Sequence, residues 1–233
     1  IHYVNAKAVL LGERGVGKSG LGICIAEGKF SMTESTHGAR FWHFTTEKLT
    51  GLPPNVQAEL TLWDLAGQPE YRLVHQLFLD DTDAALLLFD CSDPSEPFRG
   101  VPYWAKVLKK HAPPHAVKFL VSARCDVSPV TVDKNQINLA LAQYGLDKYF
   151  KTTAIKMEGV SELFKEMLAS IPWEKLPKTD RPRLFQIIRE LLLERKGTGE
   201  TLIKMNEIQK ESKRRFKERN VKQDEFDTVI ALL

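Results

Sequence analysis

The sequence predicts an α/β protein with a mostly parallel sheet between helices. Short β-rich segments alternate with helical patterns over residues 1–173, an order typical of such a sheet. The first segment, 7–11, leads into a glycine-rich loop and then a helical pattern. The continuous apolar run at 84–90 is typical of a strand covered on both faces. These observations predict one sheet of six strands, most of them parallel.

The first half of that unit combines a strand and a helix with a strand pair. Strand 7–11 is short and apolar, and helix 19–28 follows the glycine-rich loop. Strands 40–49 and 56–64 flank Gly51-Leu52-Pro53-Pro54, whose glycine and prolines indicate a turn. The second strand of the pair alternates, which predicts one buried side. The residues on that side are Val56, Ala58, Leu60, Leu62 and Asp64.

The second half continues the alternation. After strand 84–90 come helix 98–111, strand 117–122, helix 133–144 and a short strand at 149–153. A last helix at 159–171 is predicted because its apolar residues recur at helical spacing. These residues are Val160, Leu163, Phe164, Met167, Leu168 and Ile171. We interpret the stripe as core.

A helical extension follows. Pro172, Pro177 and Pro182 indicate a linker. The predicted divisions are a domain at 1–173, a linker at 174–182 and an extension at 183–233. The first 173 residues carry 18 Lys and Arg against 19 Asp and Glu, and the rest carry 15 against 11. The basic excess of the chain therefore lies in the linker and extension.

Three helical patterns fill the extension, at 183–196, at 201–219 and from 224 onward. The second is rich in Lys and Arg, but Glu residues interleave with them, which favours a solvated amphipathic face over a nucleic-acid surface. We predict that Leu202, Met205, Ile208 and Phe216 form its buried side.

Composition narrows the class of protein. Apolar residues make up 43% of the chain, as in soluble globular proteins, and no uninterrupted apolar run reaches membrane-spanning length. Cys24, Cys91 and Cys125 lack the spacing of a metal site and suit a reducing cytosol, so we expect a cytoplasmic protein. Because the chain begins at Ile1, we interpret it as a piece of a longer polypeptide.

Residues 12–19 match the phosphate-binding P-loop pattern, Gly-x-x-x-x-Gly-Lys-Ser, between a predicted strand and a predicted helix. Glycines let backbone amides wrap a triphosphate, and the helix N-terminus adds partial positive charge. Lys18 is predicted to reach the β- and γ-phosphates, and the Ser19 hydroxyl to bind Mg²⁺. The predicted phosphate contacts are Gly12, Glu13, Arg14, Gly15, Val16, Gly17, Lys18, Ser19 and Gly20.

A second motif, Trp63-Asp64-Leu65-Ala66-Gly67-Gln68, ends the third strand. Asp64 can hold Mg²⁺ through water, the Gly67 amide can bind the γ-phosphate, and Gln68 can orient an attacking water. Alone, an Asp-x-x-Gly pattern would indicate a turn. Its place at a strand end, about 50 residues after the P-loop, favours the catalytic interpretation.

These motifs, in this order, resemble a Ras-like small GTPase over residues 6–171. The segment Ser35-Thr36-His37-Gly38 is similar to the Roc domains of Roco proteins. The resemblance implies that Thr36 coordinates Mg²⁺ together with Ser19 and Asp64. It also implies that Lys18, Thr36 and Gln68 are catalytic, and that GTP and GDP are the nucleotides bound.

Base recognition follows from the same resemblance, with two departures. The family pattern Asn-Lys-x-Asp is matched by Ala123-Arg124-Cys125-Asp126, where Asp126 would accept hydrogen bonds from guanine and Arg124 would stack over it. The family's Ser-Ala-Lys loop appears as Thr153-Ala154-Ile155. The asparagine and the lysine are missing, each at a cost of about 0.5–1.5 kcal/mol. We therefore expect GTP preference with reduced affinity.

Arg14 occupies a loop position that is small in many relatives of Ras. Three interpretations remain open: a side chain that points into solvent, one that displaces Gln68 and slows hydrolysis, or one that stabilises the transition state as an arginine finger does.

The resemblance implies a GTP-hydrolysing switch within a larger signalling protein, and this chain's departures from the family pattern predict slow hydrolysis. Residues 30–39 and 66–80 would act as switches that contact effector or regulatory proteins. The extension would begin a COR-like or winged-helix module, other domains of the polypeptide would be partners, and a homodimer is one assembly typical of Roco proteins. Two alternatives remain: a regulatory module with negligible hydrolysis, and a structural hub.

Overall fold

The computed structural model describes residues 2–32, 38–46, 49, 52, 56–67, 76, 78–92, 95–126, 132–179, 182–197, 203–216 and 222–231. Thr36 and Gln68 lie outside these residues. The predicted turn at 51–54 also lies outside them, apart from residue 52. No helix among the described ranges is long and apolar enough to cross a membrane.

The sheet confirms the predicted architecture. Its strands are β1 His2–Leu11, β2 Ala39–Phe44, β3 Val56–Leu65, β4 Ala84–Asp90, β5 Val117–Ala123, β6 Lys148–Lys151 and the short β7 Lys178–Thr179. Six of them follow the order β2-β3-β1-β4-β5-β6. β1, β4, β5 and β6 pair in parallel, whereas β2 pairs antiparallel with β3 and β7 with β1.

Seven helices are described. They are α1 Lys18–Glu27, α2 Val101–His111, α3 Lys134–Tyr144, α4 Val160–Ser170, α5 Pro182–Gly197, α6 Met205–Phe216 and α7 Gln223–Ala231. Their ends follow local capping chemistry. Asp133 accepts a hydrogen bond from the Gln136 amide in a capping box that begins α3, and Gly145 ends that helix in the left-handed conformation.

Several predicted bounds differ from the structure. The first strand begins at His2 and not at residue 7, and the strand predicted at 149–153 spans Lys148–Lys151. Helix 98–111 begins later, at Val101, because Gly100 stands at its N-cap with φ +80°. Strand 40–49 ends at Phe44, since the amide of Leu49 donates instead to the carbonyl of Thr46 in a turn. The predicted linker contains the short strand β7. Its two residues pair with Tyr3 and Val4 of β1, and no pattern in the local sequence predicts this strand.

Contacts divide the chain into two compact units. The larger comprises Ala6–Gly51 and Glu59–Pro172, and the smaller comprises Ile1–Asn5, Leu52–Ala58 and Trp173–Leu233. In the larger unit, β4 is buried throughout except at its last residue, as its apolar sequence predicts. That residues 1–173 and 183–233 are separate domains joined by a linker at 174–182 remains a prediction.

The smaller unit has its own apolar core, formed by Tyr3 and residues of α5, α6 and α7. Ile208 of α6 is buried as predicted, whereas the prediction for Met205 is wrong, since its side chain is 52% exposed at the start of the helix. Leu202 and the Phe216 side chain lie outside the description. Arg215 of α6 donates to both carboxylate oxygens of Glu194, at 3.0 and 2.8 Å. A basic residue of α6 is thus paired with an acidic residue of α5.

Candidate functional site

The glycine-rich loop leaves the carboxyl end of β1 and turns into α1. Gly12, Gly15 and Gly17 have φ angles of +145°, +80° and +102°, values that L-residues with side chains rarely adopt. A Cβ on Gly12 would also lie 2.5 Å from the carbonyl oxygen of Leu88 in β4. The loop therefore needs glycine at Gly12 for both conformation and space.

Lys18 opens α1 with its side chain folded back under the loop. Its Nζ donates to the carbonyl oxygens of Gly12 and Glu13, at 3.0 and 2.8 Å. Burial lowers the pKa of Lys18 to about 8, although the carboxylates of Asp64 and Glu13 oppose that shift. A phosphate anion would supply the negative charge that this buried ammonium needs.

Ser19 and Asp64 bring two hard oxygen donors together beside Lys18. The Ser19 hydroxyl donates to Oδ2 of Asp64 at 2.6 Å, and Asp64, in β3, is fully buried. Mg²⁺ prefers oxygen ligands and keeps several waters when it binds phosphates. A hydroxyl and a carboxylate at this spacing fit such an ion, so these residues suit the predicted magnesium site.

Gly67 lies against the phosphate loop. A Cβ on Gly67 would be 2.6 Å from the amide nitrogen of Arg14 and 2.6 Å from Nζ of Lys18. Only glycine fits without displacing these groups. The two motifs, 45 residues or more apart in sequence, thus meet at Lys18. Arg14 itself is exposed.

The predicted base-binding segment follows β5 directly. Arg124, with φ +59°, donates from Nη1 to the carbonyl of Gly15 at 3.2 Å and lies 3.4 Å from Oδ2 of Asp90. The segment is therefore tied to the P-loop through Arg124, although the asparagine expected at Ala123 is missing. Asp126 is partly exposed two residues further on.

The second predicted base loop lies beside α1. Thr153 is buried, Ala154 is partly buried and Ile155 is 58% exposed. The thiol of Cys24 donates to the carbonyl of Ala154 at 3.4 Å, which connects this loop to α1.

Thr36 and Gln68 lie outside the described residues, as do half of 30–39 and most of 66–80. Their predicted roles therefore rest on sequence alone.

Sequence reasoning missed three groups near this site. A Cβ on Gly20 would lie 3.5 Å from the ring of Phe30, which places an aromatic side chain beside the second base loop. Asp90 pairs with Arg124, and the thiol of Cys91 meets that of Cys125, which belongs to the base-binding segment. The pairing of β4 with β5 brings Asp90 and Cys91 to Arg124 and Cys125, and no local pattern signals it.

Comparisons with known proteins agree with this geometry. A family model described as the Ras family matches residues 7–172. The chain is 31% identical over 166 residues to the Ras-related protein RIC2 of Oryza sativa subsp. japonica, covering 71% of this chain and 74% of that protein. It is 30% identical over 174 residues to the GTP-binding protein ypt5 of Schizosaccharomyces pombe, covering 73% and 80%. It is also 30% identical over 166 residues to the Ras-related protein RABA1a of Arabidopsis thaliana, covering 71% and 74%.

Proposed function

This chain belongs to the Ras family of small GTPases, and from that premise we propose that it is the nucleotide-controlled regulatory domain of a larger signalling protein. Proteins of this family bind GTP and GDP with Mg²⁺ and hydrolyse GTP, so the chain is a GTP-binding switch and a GTPase. The Ras-like resemblance is thereby confirmed. The Roc assignment, the larger protein and the cytoplasmic location remain proposals.

The observation that carries the proposal is the convergence of Lys18, Ser19 and Asp64 under a glycine loop. Lys18 and the loop amides would stabilise charge on the β- and γ-phosphates. Ser19, Thr36 and Asp64 would hold Mg²⁺, which neutralises phosphate charge when bound. Gln68 would orient the water that attacks the γ-phosphate, and Gly67 would sense that phosphate through its amide.

Base recognition would combine Asp126 with flanking side chains. Asp126 accepts hydrogen bonds from the ring N–H and exocyclic amine of guanine, which adenine does not offer. Arg124, fixed by Gly15 and Asp90, would cover one side of the base. Phe30, which lies near Gly20 as Ala154 does, would cover another, and the Ala154 amide would meet the 6-oxo group.

An aromatic cluster of Phe41, Trp63 and Phe78 supports partner binding through residues 30–39 and 66–80. The Phe41 and Trp63 ring centroids are 4.6 Å apart, those of Trp63 and Phe78 are 5.4 Å apart, and Phe41 is 49% exposed. Exposed aromatic side chains are typical of interface hot spots. Because the cluster adjoins both segments in sequence, nucleotide-dependent ordering there would alter the surface offered to an effector.

The Roc assignment rests on Thr36-His37-Gly38 and on the helical unit that follows the GTPase domain. Helices α5, α6 and α7 share a core, as the start of an output module would. A homodimer and contacts with further domains of the polypeptide belong to the same proposal.

A measurement of phosphate release tests whether the domain hydrolyses GTP. Under single-turnover conditions with Mg²⁺, we expect the chain to convert bound GTP to GDP, and Gln68→Leu to slow that step at least about tenfold, since the attacking water loses its orienting amide. GDP affinity should change less than about threefold, because the proposed role of Gln68 is at the γ-phosphate, which GDP lacks. Phosphate release no faster than in buffer would instead favour a regulatory module with negligible hydrolysis.

Arg14→Gly separates the three interpretations of that residue. Because the Arg14 side chain is exposed, we expect the single-turnover hydrolysis rate to change by less than about threefold. A clear increase would mean that Arg14 displaces Gln68, and a clear decrease that its charge stabilises the transition state.

A further inference from the structure

Two thiols meet at the carboxyl ends of neighbouring strands. Cys91 directly follows β4, and Cys125 lies two residues beyond β5. Their sulfur atoms are 2.7 Å apart. A disulfide bond is about 2.05 Å long, so the atoms need to approach by only about 0.7 Å to bond. Asp90 pairs with Ala123 in the β4–β5 ladder, and this pairing holds Cys91 beside the segment that carries Cys125.

The two thiols differ in access. Cys91 is fully buried and donates to the carbonyl of Ala123 at 3.1 Å. Cys125 is partly exposed and lies 3.4 Å from the hydroxyl of Ser122. A small oxidant from solvent therefore reaches Cys125 first, with Cys91 behind it. This arrangement is typical of a reactive cysteine and its resolving partner.

We propose that Cys91 and Cys125 are a modification site, which a peroxide converts into a reversible intramolecular disulfide that restrains the base-binding segment. The Cys125 thiolate attacks the peroxide, takes up one oxygen as sulfenic acid and releases water or an alcohol. The Cys91 sulfur then attacks the Cys125 sulfur. The S–S bond forms, the S–O bond breaks, and the Cys91 proton leaves with the hydroxide as water.

The surroundings favour Cys125 as the first thiol to react. The hydrogen bond with Cys91 lowers the pKa of Cys125 below its ordinary value, against burial, and Ser122 and the charge of Lys151 add to that lowering. The same hydrogen bond, with burial, raises the pKa of Cys91. Thiolates and not thiols attack peroxides, so oxidation begins at Cys125. Sulfenic acid formation also removes the negative charge that disfavours ionisation of Cys91.

The bond would act on nucleotide release. Cys125 stands between Arg124, which is tied to Gly15 and Asp90, and Asp126. Because the sulfur atoms are already close, the bond holds the segment in its present position and does not distort it. Opening of the segment during release becomes harder, so we expect GDP dissociation to slow by about 3- to 10-fold. This second effect rests on the proposed role of Asp126, whereas disulfide formation does not.

Peptide mapping of the full chain tests the site. After brief treatment with hydrogen peroxide, the chain should lose about 2 Da, with one disulfide between the Cys91 and Cys125 peptides that dithiothreitol reverses. Cys24, which is buried and donates to Ala154, should remain alkylatable after denaturation. Cys24→Ser is the matched control and should form the same bond. In Cys91→Ser, Cys125 should instead accumulate as a sulfenic acid that dimedone traps.

Three outcomes would overturn the proposal: a disulfide that involves Cys24, one that links two chains, or a Cys125 sulfinic acid with Cys91 still reduced. GDP release from oxidised and reduced protein then tests the functional effect. A confirmed disulfide with unchanged or faster GDP release would show that the bond forms but does not restrain the base-binding segment. If the reduced protein does not bind guanine nucleotides, the proposed function is wrong, whereas disulfide formation is not affected by that result.

Discussion

Lys18→Met is expected to weaken GDP binding by about 10²- to 10⁴-fold. Lys18 is buried beneath the phosphate loop and, in the proposed complex with GDP, donates two charge-assisted hydrogen bonds to oxygens of the β-phosphate. Each such bond contributes about 1.5–3 kcal/mol, and methionine keeps the apolar stem while removing both. Titration with a fluorescent GDP analogue measures the loss.

Lys106→Met is the matched control, since Lys106 is an exposed lysine of α2 and should leave affinity unchanged. Thermal unfolding of both nucleotide-free variants shows whether they fold, because Lys18 also bonds the carbonyls of Gly12 and Glu13. A folded Lys18→Met protein that binds GDP as tightly as the parent would mean that the phosphates do not lie over Lys18.

Asp126→Asn is expected to reverse the base preference from guanine to xanthine. The carboxylate of Asp126 would accept from two guanine donors, whereas an asparagine amide offers one acceptor and one donor. Xanthine presents a ring N–H beside a 2-oxo group, which matches that pair. GDP affinity should fall about 100-fold or more, and xanthosine diphosphate should bind more tightly than GDP.

Competition between the two diphosphates for a fluorescent analogue measures this reversal. Asp224→Asn, at an exposed position in the first turn of α7, is the control and should keep the guanine preference. Unchanged discrimination in Asp126→Asn would show that another group reads the base.

Fold prediction succeeded where burial and local spacing dominate. Strand Ala84–Asp90 has the predicted bounds because a strand covered on both faces is apolar throughout. The β7 strand was missed because two residues carry no periodicity and their order depends on pairing with β1. Helix α6 was predicted to bury Met205, but the apolar residue at its first position faces solvent while Ile208 reaches the core.

The site divides in the same way. The P-loop and Asp64 were predictable, because a fixed spacing in local sequence places a strand end, a loop and a helix start together. Contacts made by residues from different strands were not. The approach of Cys91 to Cys125 follows from the β4–β5 register, as does the pairing of Asp90 with Arg124. No pattern within either segment carries that information.

The central claim is that guanine selectivity survives the loss of the family's asparagine and lysine at Ala123 and Ile155. Displacement of a fluorescent GDP analogue by GTP and by ATP, with Mg²⁺ present, tests it most directly. Because Asp126 would keep its two guanine-specific hydrogen bonds, ATP should bind at least about 100-fold more weakly than GTP. Equal affinity for the two nucleotides would contradict the account.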